Sequence, residues 1–500
     1  MIYDVTIEPV NQLYTRLDCD SGLGYELAEE FSFFVPGYKF MPSFKNGRWD
    51  GRIKLFNRQN HQIYRGLLPR VITWLQEQNY TFQITSKEEL RPQIAYDDGW
   101  LDANWSRYGK LTPNTHQSQA IESGLKLNQA LILSPTSSGK SYIIYLMVRY
   151  LCEKKLPGKI LIITPRIGLV RQLKGDFADY EVDTGWTEVN THEIAEGAEK
   201  ATHKKIVIST WQSIYKMPKT WFSQFDAIFC DEAHEADAAS TTGIIDKMPN
   251  APIRIGLTGT LDGTAMHEFE MEGRFGPKLK FVTTKDLMDR GIISKLKIKC
   301  LRIKYSKEDV EIVRHLDYQG EIDFLITNER RNQLLCNLAL NLKGNTLMLF
   351  NYIERHGKAM LDLLNKKAAE KGKKIHYIDG SVAVKAREEI RRILETETDC
   401  ILLATFGTVA TGTNIKNLHN AIFCHPYKAR TKILQSIGRL LRLAAGKDEA
   451  NLFDVGDDLV YTTSRGKEKI NTTMRHFIER LQSYEAEQFT YKIVTVPYSG

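Results

Sequence analysis

The 500-residue chain has no apolar run approaching the ~18 residues of a membrane span, and its first residues, Met1-Ile2-Tyr3-Asp4-Val5, carry neither a basic stretch nor a following apolar segment. These absences argue against membrane insertion and secretion and lead to the expectation of a soluble, intracellular protein. Cysteine pairing signals are also lacking. Cys19, Cys152, Cys230, Cys300, Cys336, Cys400 and Cys424 are scattered without a C-x-x-C pair, so neither a disulfide framework nor a zinc site is expected and the thiols read as reduced core residues. No low-complexity tract or short-period repeat is present, which argues against a solenoid. At 42% hydrophobic content the chain can bury sizeable cores, and its length suggests about three or four domains.

Net positive charge is small and is concentrated in one place. The net charge is +7, and residues 38–70 hold Lys39, Lys45, Arg48, Arg52, Lys54, Arg58, Arg65 and Arg70 against Asp50 alone. That window therefore accounts for the whole net charge. It also carries Tyr38, Phe40, Phe44, Trp49, Phe56 and Tyr64. Interleaved cations and aromatics suit phosphate neutralisation and base stacking, while a small domain with core aromatics and a solvated basic face would look similar.

Apolar periodicity divides the chain into a small α/β accessory domain over 1–100, an α/β lobe over 101–292, a second over 293–448 and an extension over 449–500. In the accessory domain, strands are expected at 3–7, 53–56 and 62–64 and a helix at 68–78; residues 97–114 are polar and turn-rich and read as a linker. The first lobe offers short apolar runs at 130–133, 160–163, 206–208, 228–230 and 254–257, and the second at 346–350, 375–378, 400–404 and 421–424. Such runs separated by helical patterns predict parallel sheets covered on both faces. The extension reads as a helix over 469–487 and an alternating strand over 489–494, packed on the second lobe.

Two motifs carry chemistry. In Ser134-Pro135-Thr136-Ser137-Ser138-Gly139-Lys140-Ser141, small residues that include Thr136, Ser138 and Gly139 let backbone N–H groups wrap phosphates at the start of the following helix. Lys140 should reach the β- and γ-phosphates and Ser141 should ligate Mg2+; Ser134 replaces the glycine that usually opens this pattern. Downstream, Asp231-Glu232-Ala233-His234 ends the apolar run Ile228-Phe229-Cys230. Asp231 should hold Mg2+, directly or through water, and Glu232 should orient and deprotonate the attacking water. Together they imply hydrolysis of a nucleoside triphosphate. His234 has no second histidine or thiol at zinc spacing.

Further along, Thr258-Gly259-Thr260, Ala404 to Asn414 and Gln435-Ser436-Ile437-Gly438-Arg439-Leu440-Leu441-Arg442 come in the order seen in superfamily-two helicases, which the chain resembles. The resemblance implies two tandem RecA-like parallel-sheet lobes with ATP and Mg2+ as cofactors. It implies Arg439 and Arg442 as donors to transition-state charge on the γ-phosphate, with Gln435 contacting the same group. Gln117, within Leu111-Thr112-Pro113-Asn114-Thr115-His116-Gln117, resembles the glutamine that reads adenine. Thr164 and Arg166, Thr210, Asn351, Thr405 and Thr413 match strand-tracking positions, and His234, Thr258, Thr260 and Gly412 match positions that couple the nucleotide to the nucleic acid. Each tracking residue could equally be a turn or helix cap. Thr258-Gly259-Thr260 departs from the commoner S/T-A-T triplet but keeps both hydroxyls.

The variant triplet, the small basic-aromatic amino-terminal domain and the short extension resemble the UvsW-type family of phage recombination and repair helicases. That implies ATP-driven remodelling of forked and four-way DNA by branch migration and fork regression, unwinding of RNA:DNA hybrids at R-loops, and the host-cell cytoplasm as location. Within the amino-terminal domain Arg48, Arg52, Lys54 and Arg58 would contact DNA. A monomer without membrane contacts is expected, with recombination or single-strand-binding proteins as conceivable partners. Three other readings compete: a DEAH-type RNA helicase, a non-hydrolysing nucleic-acid clamp and a restriction-type translocase subunit.

Overall fold

Continuous apolar runs become strands buried on both faces, and this single rule builds most of the molecule. The computed structural model describes residues 3–195, 197–235, 243–261, 263–410, 415, 417–428, 430–444, 447–463 and 466–497. It divides into two compact units, one holding the chain up to Pro135 with Gly139–Val282, the other Thr136–Ser138 with Thr283–Gly500. Among the described residues no helix is long and apolar enough to cross a membrane.

The first unit begins with a five-stranded sheet in the order Phe56–Asn57, Gln62–Tyr64, Tyr14–Cys19, Val5–Pro9, Phe82–Ile84. Its pairs are antiparallel except the last. Alternation decides the buried face: Val5, Ile7 and Leu17 point into a core closed by Leu23 and Leu27 of helix Ser21–Glu30 and by Val71 and Leu75 of helix Leu68–Glu77. Asp20 caps the first helix by accepting from the Leu23 N–H at 2.8 Å. Strands Ser32–Phe34 and Arg52–Lys54 form a separate pair.

Specific contacts fasten this sheet domain to the adjoining lobe of the same unit. Arg70 grips Glu272 through two parallel bonds, Nε to Oε2 at 2.5 Å and Nη2 to Oε1 at 2.9 Å. Tyr14 and Tyr64 stack at 5.0 Å and both donate to Asp246 Oδ1, at 2.9 and 3.3 Å. Gly66 is required, because a Cβ there would lie 2.0 Å from the Glu272 carbonyl oxygen.

The lobe itself is built on a seven-stranded, fully parallel sheet, ordered Thr191–Ile194, Ile206–Thr210, Lys159–Thr164, Phe225–Asp231, Ile253–Thr258, Gln129–Leu133, Lys278–Lys280. All five apolar runs expected in this lobe are strands of it. The stretch read as a linker instead contains helix Trp100–Tyr108. Trp100, Leu101 and Tyr108 put that helix into the lobe's core, and Trp100 Nε1 and Tyr108 Oη both donate to Glu153. The polar residues that suggested a linker occupy the helix's outer face.

The second unit carries another seven-stranded parallel sheet, ordered Ile375–Ile378, Ile401–Thr405, Thr346–Phe350, Asn420–Phe423, Glu449–Asp458, Lys295–Lys304, Tyr491–Pro497. The stretch read as an extension thus contributes to the sheet itself: Glu449–Asp458 is an interior strand and Tyr491–Pro497 an edge, with helix Thr472–Ala486 between them in the chain. Two fully buried ion pairs tie this end down. Arg331 meets Asp457 at 2.8 and 3.0 Å, and Arg480 of the last helix meets Asp454 at 3.0 and 2.9 Å.

Candidate nucleotide and nucleic-acid sites

In open parallel sheets, ligands sit beyond the carboxyl ends of the strands. The strand Gln129–Leu133 delivers the loop 134–139 there, and helix Lys140–Glu153 starts directly after it. Gly139 has φ +86°, and a Cβ on it would lie 2.2 Å from Gln117 Nε2, so both backbone freedom and space demand glycine. Ser137 also has a positive φ, +68°. The loop thereby curls its backbone around the helix start.

The neighbouring strand Phe225–Asp231 brings the carboxylates to the same place. Lys140 Nζ lies 3.1 Å from Glu232 Oε1 and donates to the Ser134 carbonyl at 3.4 Å. Glu232 holds φ +50°, a left-handed backbone uncommon for this residue type and a form of strain that concentrates at functional sites. Burial first, and then the charge of Glu232, push the Asp231 carboxyl well above the ordinary carboxylate range, against the opposing pull of Lys140. A carboxylate so short of positive charge suits a divalent cation. Asp231, Ser141 and the Lys140 ammonium are a donor set that fits Mg2+ and a triphosphate.

Beyond Glu232 a chain of hydroxyls leads away from the carboxylates. His234 Nδ1 lies 2.6 Å from Thr258 Oγ1, which in turn donates to the Thr260 carbonyl at 2.9 Å. With the threonine proton so placed, Nδ1–H is the donor to Thr258. Burial lowers the His234 pKa despite the carboxylates of Glu232 and Glu235, which favours the neutral ring. Within the Thr-Gly-Thr triplet these contacts run through the Thr258 hydroxyl and the Thr260 carbonyl.

Gln117 is buried on helix Thr115–Leu127 and closes a capping box: its Oε1 accepts the Asn114 N–H at 2.8 Å while its Nε2 faces Gly139. Ser141 Oγ sits 2.8 Å from the hydroxyl of Tyr180, which burial pushes up to about 12. Tyr180 was invisible in the sequence as a neighbour of the phosphate loop, since it reaches Ser141 only through the packing of helix Ile167–Tyr180.

The described tracking positions, Thr164, Arg166, Thr210, Asn351 and Thr405, lie at or just beyond strand ends, and several hydroxyls are locally engaged. Thr164 Oγ1 donates to the Arg166 carbonyl at 3.2 Å, and Arg166 pairs with Glu235 at 3.3 Å. Thr210 caps helix Trp211–Ile214, and Thr405 accepts from the Thr408 N–H at 3.2 Å. Asn351 is exposed just after strand Thr346–Phe350. Gly412 and Thr413 lie outside the described residues.

In the second unit, Gln435 and Arg439 lie one turn apart on helix Arg430–Leu440, with Arg442 just beyond its end. Lys447 secures that end by donating to the carbonyls of Leu440 at 2.6 Å and Arg442 at 2.8 Å, a cation satisfying the terminal carbonyls. Burial lowers its pKa to about 8. No motif flagged Lys447.

The basic window of the amino-terminal domain is less free than its count suggests. Arg52 Nη1 meets Glu29 at 2.5 Å and its guanidinium stacks 4.5 Å over Phe34; Lys54 meets Asp50 at 2.7 Å. Counting charges within 38–70 missed Glu29, which the fold supplies from helix Ser21–Glu30. Arg48 and Arg58 are exposed, the latter over the half-exposed ring of Tyr25 at 4.5 Å. Phe40 is 80% exposed, an unusual position for a large apolar ring.

Comparison with known proteins places this architecture. Residues 4–85 match the family described as "DNA helicase UvsW, N-terminal", 110–263 the "Type III restriction enzyme, res subunit" family and 330–444 the "Helicase conserved C-terminal domain" family. Two parallel-sheet lobes bearing these motifs define a superfamily-two helicase, an ATP-hydrolysing motor. The chain is 33% identical over 501 residues to the ATP-dependent DNA helicase uvsW of Enterobacteria phage T4, covering 97% of each. The crystal structure of T4 UvsW aligns over 99% of both chains at 30% identity, with a TM-score of 0.51. This chain belongs to the UvsW family of ATP-dependent DNA helicases. A type I restriction enzyme EcoAI endonuclease subunit of Escherichia coli is 24% identical over 70% of this chain and 45% of its own length. A putative HsdR fragment from Vibrio vulnificus YJ016 shares the fold at 15% identity, over 89% of this chain and 88% of its own, with a TM-score of 0.59.

Proposed function

We propose that this protein remodels branched DNA, coupling ATP hydrolysis to branch migration, fork regression and unwinding of RNA:DNA hybrids at R-loops. The observation that carries the proposal is that similarity to the T4 DNA helicase spans both the motor and the amino-terminal domain, over 97% of the chain. Lys140 neutralises the β- and γ-phosphates, releasing its contact with Glu232 as it does so. Glu232 then aligns the attacking water and takes its proton. Mg2+ held by Ser141 and Asp231 would supply charge neutralisation on the phosphates. Arg439 and Arg442, with Gln435, serve the charge that develops on the γ-phosphate, while Gln117 contacts the adenine. His234, Thr258, Thr260 and Gly412 relay nucleotide state to the strand-contacting residues Thr164, Arg166, Thr210, Asn351, Thr405 and Thr413. We take 1–100 as the substrate-recognition domain and 101–292 and 293–448 as the motor lobes, the second completed by strands Glu449–Asp458 and Tyr491–Pro497 of the 449–500 stretch, in a monomer.

Exposed cations of the amino-terminal domain would hold the duplex arms through phosphate contacts, which position without reading sequence. Replacing Arg48 and Arg58 together by Ala should weaken binding to a four-way junction and reduce the salt slope of log K by about two, at roughly 0.9 per phosphate contact. The pair Arg52→Ala and Lys54→Ala should have a smaller effect, because their charges already meet Glu29 and Asp50. Junction titrations at several salt concentrations decide this; unchanged affinity and slope in the Arg48/Arg58 variant would overturn the assignment.

A further inference from the structure

At the edge of the second parallel sheet, three residues of different chemistry converge on one point. His376 lies on the edge strand Ile375–Ile378, Cys400 immediately precedes the adjacent strand Ile401–Thr405, and Glu397 comes directly after helix Val384–Thr396. The parallel register sets His376 beside Leu402, two residues from Cys400 and therefore on the same face of the sheet. Glu397 Oε2 is shared: His376 Nε2 lies 3.3 Å from it and Cys400 Sγ 3.2 Å. The imidazole nitrogen, the sulfur and the carboxylate oxygen all fall within 4.8 Å of one another.

These separations can be compared with a coordination polyhedron. Bonds of ~2.0–2.1 Å to nitrogen, ~2.0–2.2 Å to oxygen and ~2.3 Å to sulfur at a tetrahedral centre give ligand-to-ligand edges of about 3.3–3.6 Å. The two measured contacts to Oε2 already lie close to that range. The carboxylate is committed to this geometry, because its other oxygen is held by Lys374. His376 and Glu397 are half-buried and Cys400 is buried.

We propose that His376, Glu397 and Cys400 form a binding site for a thiophilic divalent cation of the zinc type, separate from the nucleotide site. Neutral imidazole, carboxylate and thiolate form an N, O, S donor set that selects Zn2+ or Co2+ over Mg2+. On binding, the Cys400 Sγ–H bond breaks, the proton passes to solvent and an M–S bond forms; no electron is transferred. The ion would pin the end of helix Val384–Thr396 to the outermost strand of the sheet. The expectation that the scattered cysteines indicate no zinc site rests on C-x-x-C spacing, and this cluster instead joins His376 to Glu397-x-x-Cys400 across the sheet.

The test is a Co2+ titration of the full chain with ATP-site cations kept as Mg2+. Bound Co2+ should give the sulfur-to-cobalt charge-transfer band and intense visible bands of a tetrahedral thiolate site, which an oxygen-lined nucleotide site cannot produce. Excess Zn2+ should bleach them. Cys400→Ser should abolish the charge-transfer band, and His376→Ala should weaken Zn2+ binding by at least about tenfold, the loss that removing even a ligand's hydrogen-bond partner causes. His376→Ala leaves the buried thiol in place and so guards against misfolding of the cysteine variant. Absence of the band in the wild-type chain, or its persistence in Cys400→Ser, would overturn the proposal.

Discussion

Lys140→Ala is expected to lower nucleic-acid-stimulated ATP hydrolysis by about a thousand-fold or more, and Glu232→Gln to do the same by a different route. Removing a preorganised electrostatic contact to a transition state costs about 10²–10³ in turnover, and Lys140 serves both phosphates and their alignment. Its present partners, Glu232 Oε1 at 3.1 Å and the Ser134 carbonyl at 3.4 Å, are an anion and a dipole that mark where phosphate oxygens would compete. The two variants should separate when binding is measured. Lys140→Ala should weaken binding of a fluorescent ATP analogue, whereas Glu232→Gln keeps the shape and hydrogen bonding of the side chain and should retain nucleotide while failing to turn it over. Glu232 also sits at φ +50°, a left-handed backbone that side-chain-bearing residues rarely adopt. Single-turnover phosphate release, with nucleotide binding measured in parallel, checks both. Hydrolysis by Glu232→Gln within tenfold of wild type would remove it from the role assigned here.

Arg480→Ala should destabilise the second unit by about 3–5 kcal/mol, the usual result of leaving one member of a buried ion pair uncompensated. Burial opposes the Arg480 charge, but Asp454 outweighs it and holds the guanidinium above its ordinary pKa. The remaining guanidinium hydrogens reach the carbonyls of Tyr427 and Val455, both at 2.8 Å, and Tyr484 donates to Asp454 at 2.8 Å. Losing Arg480 therefore strands a carboxylate and two carbonyls together. The molecule offers a convenient internal control, because all seven tryptophans precede residue 283. In urea, Arg480→Ala should move the far-UV transition of the second unit while the tryptophan fluorescence transition stays put. Replacing Arg480 and Asp454 together by Met and Leu should recover much of the loss, since an apolar pair avoids the desolvation that the ions suffer.

The strands were legible where burial on both faces makes every residue apolar, as in Ile160–Ile163 or Leu347–Phe350. They were hidden where that rule fails. Lys295–Lys304 alternates lysines outward with Leu296, Ile298 and Cys300 inward, and Glu449–Asp458 carries acidic residues whose burial is tolerated because Arg331 and Arg480 come from distant helices to meet them. Helix Trp100–Tyr108 was masked by polar neighbours, although Trp100, Leu101 and Tyr108 have helical spacing. The nucleotide site was readable to the extent that its parts are local: residues 134–141 lie on one loop and helix, and 231–234 at one strand end. Tyr180 beside Ser141, Glu29 beside Arg52 and His376 beside Cys400 are all products of packing between segments more than twenty residues apart, with no sequence pattern to join them.

The central claim, a DNA-remodelling motor, is tested most directly by the ATPase rate on matched single-stranded, duplex, forked, four-way and R-loop substrates. Forked and four-way DNA should stimulate hydrolysis most, with R-loops close behind and single-stranded RNA, measured alongside as a further substrate, well below. Stimulation by RNA exceeding that by every branched DNA, or hydrolysis indifferent to all of them, would contradict the account.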